Sequence, residues 1–181
     1  MHPENQQQPL PMIMTGPASS ESYFQQIDEF VAATLGDEAR NHYQIIIDDP
    51  SEVARQMKRR LDHVHDFRDE HGDAYYFNWR LRIEHFFQQP FRASHESMQC
   101  LDLIVELPKY LLAANLRRVF SGIVSGNVRE DTAELIERDG PFEINGSQRI
   151  MALLDDLLAD FVARKRMKIS SGEYHPCYVI K

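Results

Sequence analysis

The sequence predicts a mixed chain, α/β at its start and α+β beyond: a strand–turn–helix unit of the parallel-sheet kind, then a mostly helical part with a few strands. Three observations carry this. An apolar run over residues 10–15 meets Gly16-Pro17 and passes straight into a helical repeat. Asp49-Pro50-Ser51-Glu52 is a strong helix start behind a β-branched run. From Pro108 onward, apolar residues recur at spacings of three and four.

Taken in order, Leu10 to Thr15 reads as a short buried strand bounded by Pro and Gly. Ser19 and Ser20 suit the cap of a helix whose first turn holds Glu21. Phe24, Ile27, Phe30, Val31, Thr34 and Leu35 form its apolar stripe, and Gly36 stands where it stops. Tyr43 to Ile47 reads as a second strand. Asp49 then caps a helix with Val53, Met57, Leu61 and Val64 on one stripe and Arg55, Lys58, Arg59 and Arg60 mostly off it, which is the pattern of a solvated basic face. Residues 75–83 alternate: Tyr75, Phe77, Trp79, Leu81 and Ile83 on one face, with Asn78, Arg80 and Arg82 on the other. That is the clearest strand signal in the chain. Pro90 to Leu103 reads as loop. Pro108 opens a helix through Leu112, Leu116, Val119 and Ile123 that ends in small residues, a sign of tight helix packing. Glu130 to Asp139 is a short acidic helix stopped by Gly140-Pro141. Asn145-Gly146-Ser147 precedes a long helix with a wide apolar face, which predicts a central core helix or an oligomer contact. Tyr174 to Ile180 reads as a strand interrupted by Pro176.

Composition bounds the function. The 181 residues are 43% hydrophobic and 27% charged, ordinary for a soluble globular protein. With 28 acidic and 20 basic side chains the formal net charge is −8, which speaks against broad nucleic-acid binding but leaves room for a small anion in a local basic pocket. Cys100 and Cys177 stand alone, without zinc spacing, as expected of reduced thiols in a cytosolic protein. No secretory leader and no uncharged apolar span is present, so the expectation is a cytoplasmic chain with no membrane segment.

The chemistry-bearing patterns are few. No Gly-rich phosphate loop and no Gly-x-Ser-x-Gly elbow occurs. His63-x-His65 followed by Asp66, Asp69 and His71 invites a metal reading. Positions two apart on a helix point to different faces, however, so a charged surface is expected and no metal or other cofactor is implied. Asp73, Tyr75, Asn78, Arg82, His95 and Glu96 are of the types that bind a sugar phosphate: carboxylates for hydroxyls, Arg for phosphate, an aromatic ring for a base. Spacing alone does not bring 73–82 beside 95–96, and a salt-bridged sheet edge would look the same.

Several long segments carry a family resemblance: HPENQQQPLP (2–11), MTGP (14–17), YQIIIDDPSEVARQMK (43–58), GDAYYFNW (72–79), PFRASHESM (90–98), LRRVFSGIVSGNV (116–128), ING (145–147), DDLLADFVA (155–163) and PCY (176–178). With them the chain closely resembles the C-terminal part of the bacterial pyrimidine/purine nucleotide 5′-monophosphate nucleosidases, longer relatives of the Lonely Guy phosphoribohydrolases. The resemblance covers nearly the whole chain and is weaker over 62–71 and 84–89. It implies that residues 1–40 are the tail of a Rossmann-like catalytic sheet and that 41–181 form a mostly helical C-terminal domain with a few strands. The family's Pro-Gly-Gly-x-Gly-Thr-x-x-Glu loop, whose amides hold the 5′-phosphate and whose Glu stabilises the ribosyl transition state, is absent from this sequence. The implied reaction of the parent is hydrolysis of the N-glycosidic bond of AMP, GMP, IMP, CMP or UMP to free base and ribose 5-phosphate, with this portion inactive alone. No catalytic residue is expected here. Thr15 and Gly16 at a strand's carboxyl end, with Asp73, Asn78, Arg82, His95 and Glu96, are the expected substrate-binding residues. The resemblance further implies a homo-oligomer and control by guanosine alarmones through upstream regions. Two other readings stand behind it: a regulatory or oligomerisation module docking on a separate catalytic chain, and an independent hydrolase using the polar cluster.

Overall fold

The computed structural model describes residues 9–72, 83, 85, 89–169 and 172–181. The chain divides into two compact units, Met1–Glu84 and His85–Lys181. Both are α/β, with small parallel sheets and abundant helix.

In the first unit β1 (Ile13–Gly16) leads through a 3₁₀ turn into α1 (Glu21–Leu35), and β2 (Gln44–Ile47) leads into α2 (Pro50–Glu70). The two strands pair in parallel from Ile13↔Gln44 to Gly16↔Ile47. The strand begins at Ile13 rather than Leu10, since Pro9 and Pro11 have no N–H to give a ladder. Ser20 occupies the N-cap of α1, but its side chain makes no capping bond. The 3₁₀ turn has already set its backbone helical (φ −96°, ψ −3°), whereas a capping side chain needs an extended one. Gly36 ends the helix at φ +91°, with its N–H on the Ala32 carbonyl. Asp49 caps α2 as expected, accepting the Glu52 N–H at 2.8 Å, with Pro50 in the first turn.

Burial among the described residues of this unit is sparse. Of its described apolar residues only Ile46 and Val64 are buried. The α1 stripe is half-buried, and Leu61, expected on the inner stripe of α2, is 42% exposed. A two-stranded sheet is too narrow to cover two long helices. The strand expected over residues 75–83 lies outside the described residues except Ile83, which is exposed.

The second unit holds the main core. Its elements are α3 (His95–Gln99), β3 (Asp102–Leu103), α4 (Lys109–Val128), α5 (Glu130–Asp139), β4 (Phe142–Gly146), α6 (Gln148–Ala163) and β5 (Tyr178–Ile180). The strands form one parallel sheet in the order β3-β4-β5. Met98, Leu103, Leu112, Val119, Ile123, Phe142, Ile144, Met151 and Leu158 are fully enclosed. The small residues of α4 do pack tightly: a Cβ on Gly122 would overlap the Met98 thioether, and one on Gly126 would lie 2.7 Å from the Cys177 sulfur.

Three expectations change here. The Pro90–Leu103 stretch is not simply loop. Ser94 and Ser97 form a reciprocal capping box that starts α3, and β3 follows. Phe142–Gly146, which carries no separate strand expectation, is the central strand. Its alternation is only five residues long (Phe142 and Ile144 buried, Glu143 and Asn145 exposed). The last strand starts at Tyr178 rather than Tyr174, beyond Pro176, which has no N–H to donate.

Candidate functional site

Because β1 and β2 run parallel, their carboxyl ends lie at one edge of the sheet, where ligands of open α/β sheets bind. Thr15 is exposed there. Gly16 sits beneath the start of α1, where an added Cβ would meet the Phe24 ring at 3.0 Å and Ser20 at 3.1 Å. Its carbonyl accepts the Asp48 N–H at 2.9 Å. Asp48, just past β2, is exposed and holds the left-handed backbone at φ 56°, a conformation Asp tolerates because its short side chain can bond locally. Asp49 follows as the α2 cap. Thr15 and Asp48 thus present a hydroxyl and a carboxylate, groups suited to sugar hydroxyls. Sequence reasoning missed Asp48: the Asp-Asp-Pro run announces a helix start, and nothing in it announces a positive φ.

Before the amino end of β2, Asp28 of α1 accepts the Tyr43 phenol at 2.7 Å and pairs with Arg40 at 2.8 Å. Burial, then the hydrogen bond to Asp28 and its negative charge, push the Tyr43 phenol up to about 12.

In the second unit the His95 Nε2–H donates to the Gly140 carbonyl at 2.8 Å, and the ring meets Phe142 edge-on at 5.1 Å. His95 therefore fastens α3 to the end of α5. Glu96 is exposed in the first turn of α3. Asp73, Asn78 and Arg82 lie outside the described residues. Thr15 and Gly16 are adjacent in the first unit, and His95 and Glu96 are adjacent in the second. His63 is exposed and His65 is half-buried. Among the described residues no three His, Cys, Asp or Glu side chains gather as a metal site. No helix among them is long and apolar enough to cross a membrane.

Two further polar features stand in the second unit. A groove of about 490 Å³ runs between the Pro90–Ala93 turn and the α4–α5 junction, with Phe91, Arg92, Ser125, Arg129 and Thr132 in its walls. Arg129 spends Nε and Nη2 on Asp131, at 3.2 and 2.9 Å. On the other side, both oxygens of Asp155 accept phenols, from Tyr174 at 2.6 Å and Tyr178 at 2.7 Å. Burial first, and the Asp155 carboxylate second, raise both phenols far above their ordinary range. Burial also pushes the Cys177 thiol up to about 11. Asn127 holds the same segment, donating to the His175 carbonyl and accepting its N–H.

The fold defines an acidic α/β protein whose first-unit strands share one carboxyl edge. The family model described as pyrimidine/purine nucleotide monophosphate nucleosidase, C-terminal, matches residues 61–181. The chain is 53% identical over 180 residues to the pyrimidine/purine nucleotide 5′-monophosphate nucleosidase of Escherichia coli strain K12, covering 99% of this chain and 40% of that protein. Proteins of the same name from E. coli O6:H1 and O157:H7 match with the same identity and coverage. The chain belongs to the pyrimidine/purine nucleotide monophosphate nucleosidase family, in its C-terminal part. It spans 40% of the length of these curated relatives.

Proposed function

We propose that this chain is the C-terminal portion of an enzyme that hydrolyses the N-glycosidic bond of AMP, GMP, IMP, CMP or UMP to free base and ribose 5-phosphate. The single observation behind this reading is the 53% identity with a nucleotide 5′-monophosphate nucleosidase along 99% of the chain. Residues 1–40 belong to the tail of a Rossmann-like catalytic sheet, and 41–181 to a C-terminal domain. The parallel β1–β2 pairing supports a parallel-sheet origin for the first of these. The reaction needs a phosphate anchor, a carboxylate near the anomeric carbon and an activated water. This chain supplies supporting groups to it: Thr15 and Gly16 at the carboxyl edge, and Asp73, Asn78, Arg82, His95 and Glu96 as substrate lining. His95, its Nε2 already engaged, acts by fixing the start of α3 beside Glu96. The enzyme is cytoplasmic and homo-oligomeric, with guanosine alarmone control acting through upstream regions.

Two measurements test this. The purified chain releases no ribose 5-phosphate from AMP, because it lacks the Gly-rich loop; release would put an independent hydrolase first. In a full-length nucleosidase bearing these residues, Arg82→Ala or Glu96→Ala lowers kcat/KM for AMP, and unchanged kinetics remove both from the lining. The thin burial of the first unit favours a second reading, a non-catalytic regulatory or oligomerisation module docking on a separate catalytic chain. Co-purification with a chain bearing the Gly-rich loop is its mark.

A further inference from the structure

We infer that the cleft at the amino ends of β1 and β2 binds a phosphate group. It lies at the opposite end of the strands from Thr15 and Gly16, about 13 Å away at the usual rise per strand residue. Its volume is about 210 Å³, with Pro9, Leu10 and Pro11 on one side and Asn41, His42, Arg60 and His63 on the other. Among the described residues no carboxylate lines it, in a chain whose net charge is −8.

Arg60 is the one guanidinium in the wall of this cleft. Arg40, Arg55, Arg129, Arg138 and Arg164 are each paired with an Asp or Glu. Arg60 is half-buried, and its Nη2 donates to the neutral Gln44 Oε1 at 3.2 Å. That bond orients the guanidinium without neutralising it. His63 stands three residues on, on the same face of α2, and His42 and Asn41 approach from the turn before β2. A guanidinium, two imidazoles and an amide thus line one cleft from two elements. Donors arriving from several directions suit the three oxygens of a tetrahedral phosphate better than the two of a planar carboxylate. In the larger groove a carboxylate, Asp131, stands in the wall and occupies the Arg129 guanidinium. The phosphate arrives free or as a sugar ester, and the Pro9–Pro11 wall is the apolar surface against which a sugar would lie. This inference stands apart from the nucleosidase reading.

The test titrates the purified full chain with inorganic phosphate, and separately with ribose 5-phosphate, against chloride at equal ionic strength, following backbone amide and imidazole resonances. Saturable shifts at Asn41, His42 and His63 are expected. Arg60→Gln weakens binding by about tenfold, the usual scale of a charge-assisted contact. His63→Gln, at an exposed position and so without a folding penalty, weakens it several-fold. Arg55→Gln, which changes a paired arginine elsewhere on α2, leaves it unchanged. Ribose 5-phosphate binding more tightly than phosphate identifies the ester as the ligand; equal affinity identifies the phosphate group alone. Non-saturable shifts spread along α2, or saturable binding that ignores both Arg60→Gln and His63→Gln, overturn the inference.

Discussion

At the residue scale, the second unit is governed by close approaches and by buried phenols. Gly122 lets the Met98 thioether lie against α4, and both positions sit in the fully enclosed core. Gly122→Ala is therefore expected to cost about 1–3 kcal/mol through overpacking, visible as a lower Tm, although Ala is intrinsically the better helix residue. The phenols set a pH limit. Tyr174 and Tyr178 are raised by burial and by Asp155, so the folded state keeps protons that the unfolded state loses above its ordinary tyrosine value near 10. Their contribution to stability is complete below that pH and declines as pH rises beyond it. Tyr43, lifted to about 12, adds a similar decline between 10 and 12 in the first unit. Tm is expected to fall steeply from pH 10 upward, and the fall should be shallower in a Tyr174→Phe, Tyr178→Phe double variant. An equal slope in both proteins would refute this assignment.

At the scale of elements, local signals decide which boundaries are firm. Asp49 makes the one side-chain cap of α2, so Asp49→Ala should lose about 1 kcal/mol in urea denaturation, within the usual range for such caps. This helix was legible because Asp, Pro and Glu announce its start and charge marks its outer face. The long helices α4 and α6 were legible from period alone. Of the strands of the second unit, β5 was legible within Tyr174–Ile180 and the other two were not: β3 has two residues and β4 five, too few for alternation to rise above background. α3 escaped for the same reason, its five residues carrying only the Ser94–Ser97 box as a clue. For the candidate site, Thr15 and Gly16 were legible as a strand meeting a turn. The role of His95 was not, since its acceptor is 45 residues away. Asp48 escaped because a left-handed backbone leaves no mark on residue type when Asp occupies it.

Taken whole, the two units are unevenly made. The second encloses a continuous core, while the first buries two described apolar side chains beneath a two-stranded parallel sheet. Parallel strands are ordinarily covered on both faces and flanked by further strands. Open edges recruit new pairing, so residues 8–36 are expected to drive self-association of the purified chain. Light scattering should show mass rising with concentration; a monodisperse monomer at high concentration would contradict this. Met12, 42% exposed beside β1, is the natural place to test it, with Met12→Lys expected to shift the equilibrium toward monomer.

The two thiols give the chain an internal clock. Cys100 is exposed, whereas Cys177 is lodged against Gly126 one residue before β5. An alkylating reagent meets the first at once. It meets the second, half-buried beside the β4–β5 pairing, more slowly, since the reacting species is a thiolate that burial suppresses. The ratio of the two labelling rates therefore reports how closely the carboxyl-terminal segment is held, with Cys100 as an internal reference, and mass spectrometry of a timed quench reads it peptide by peptide.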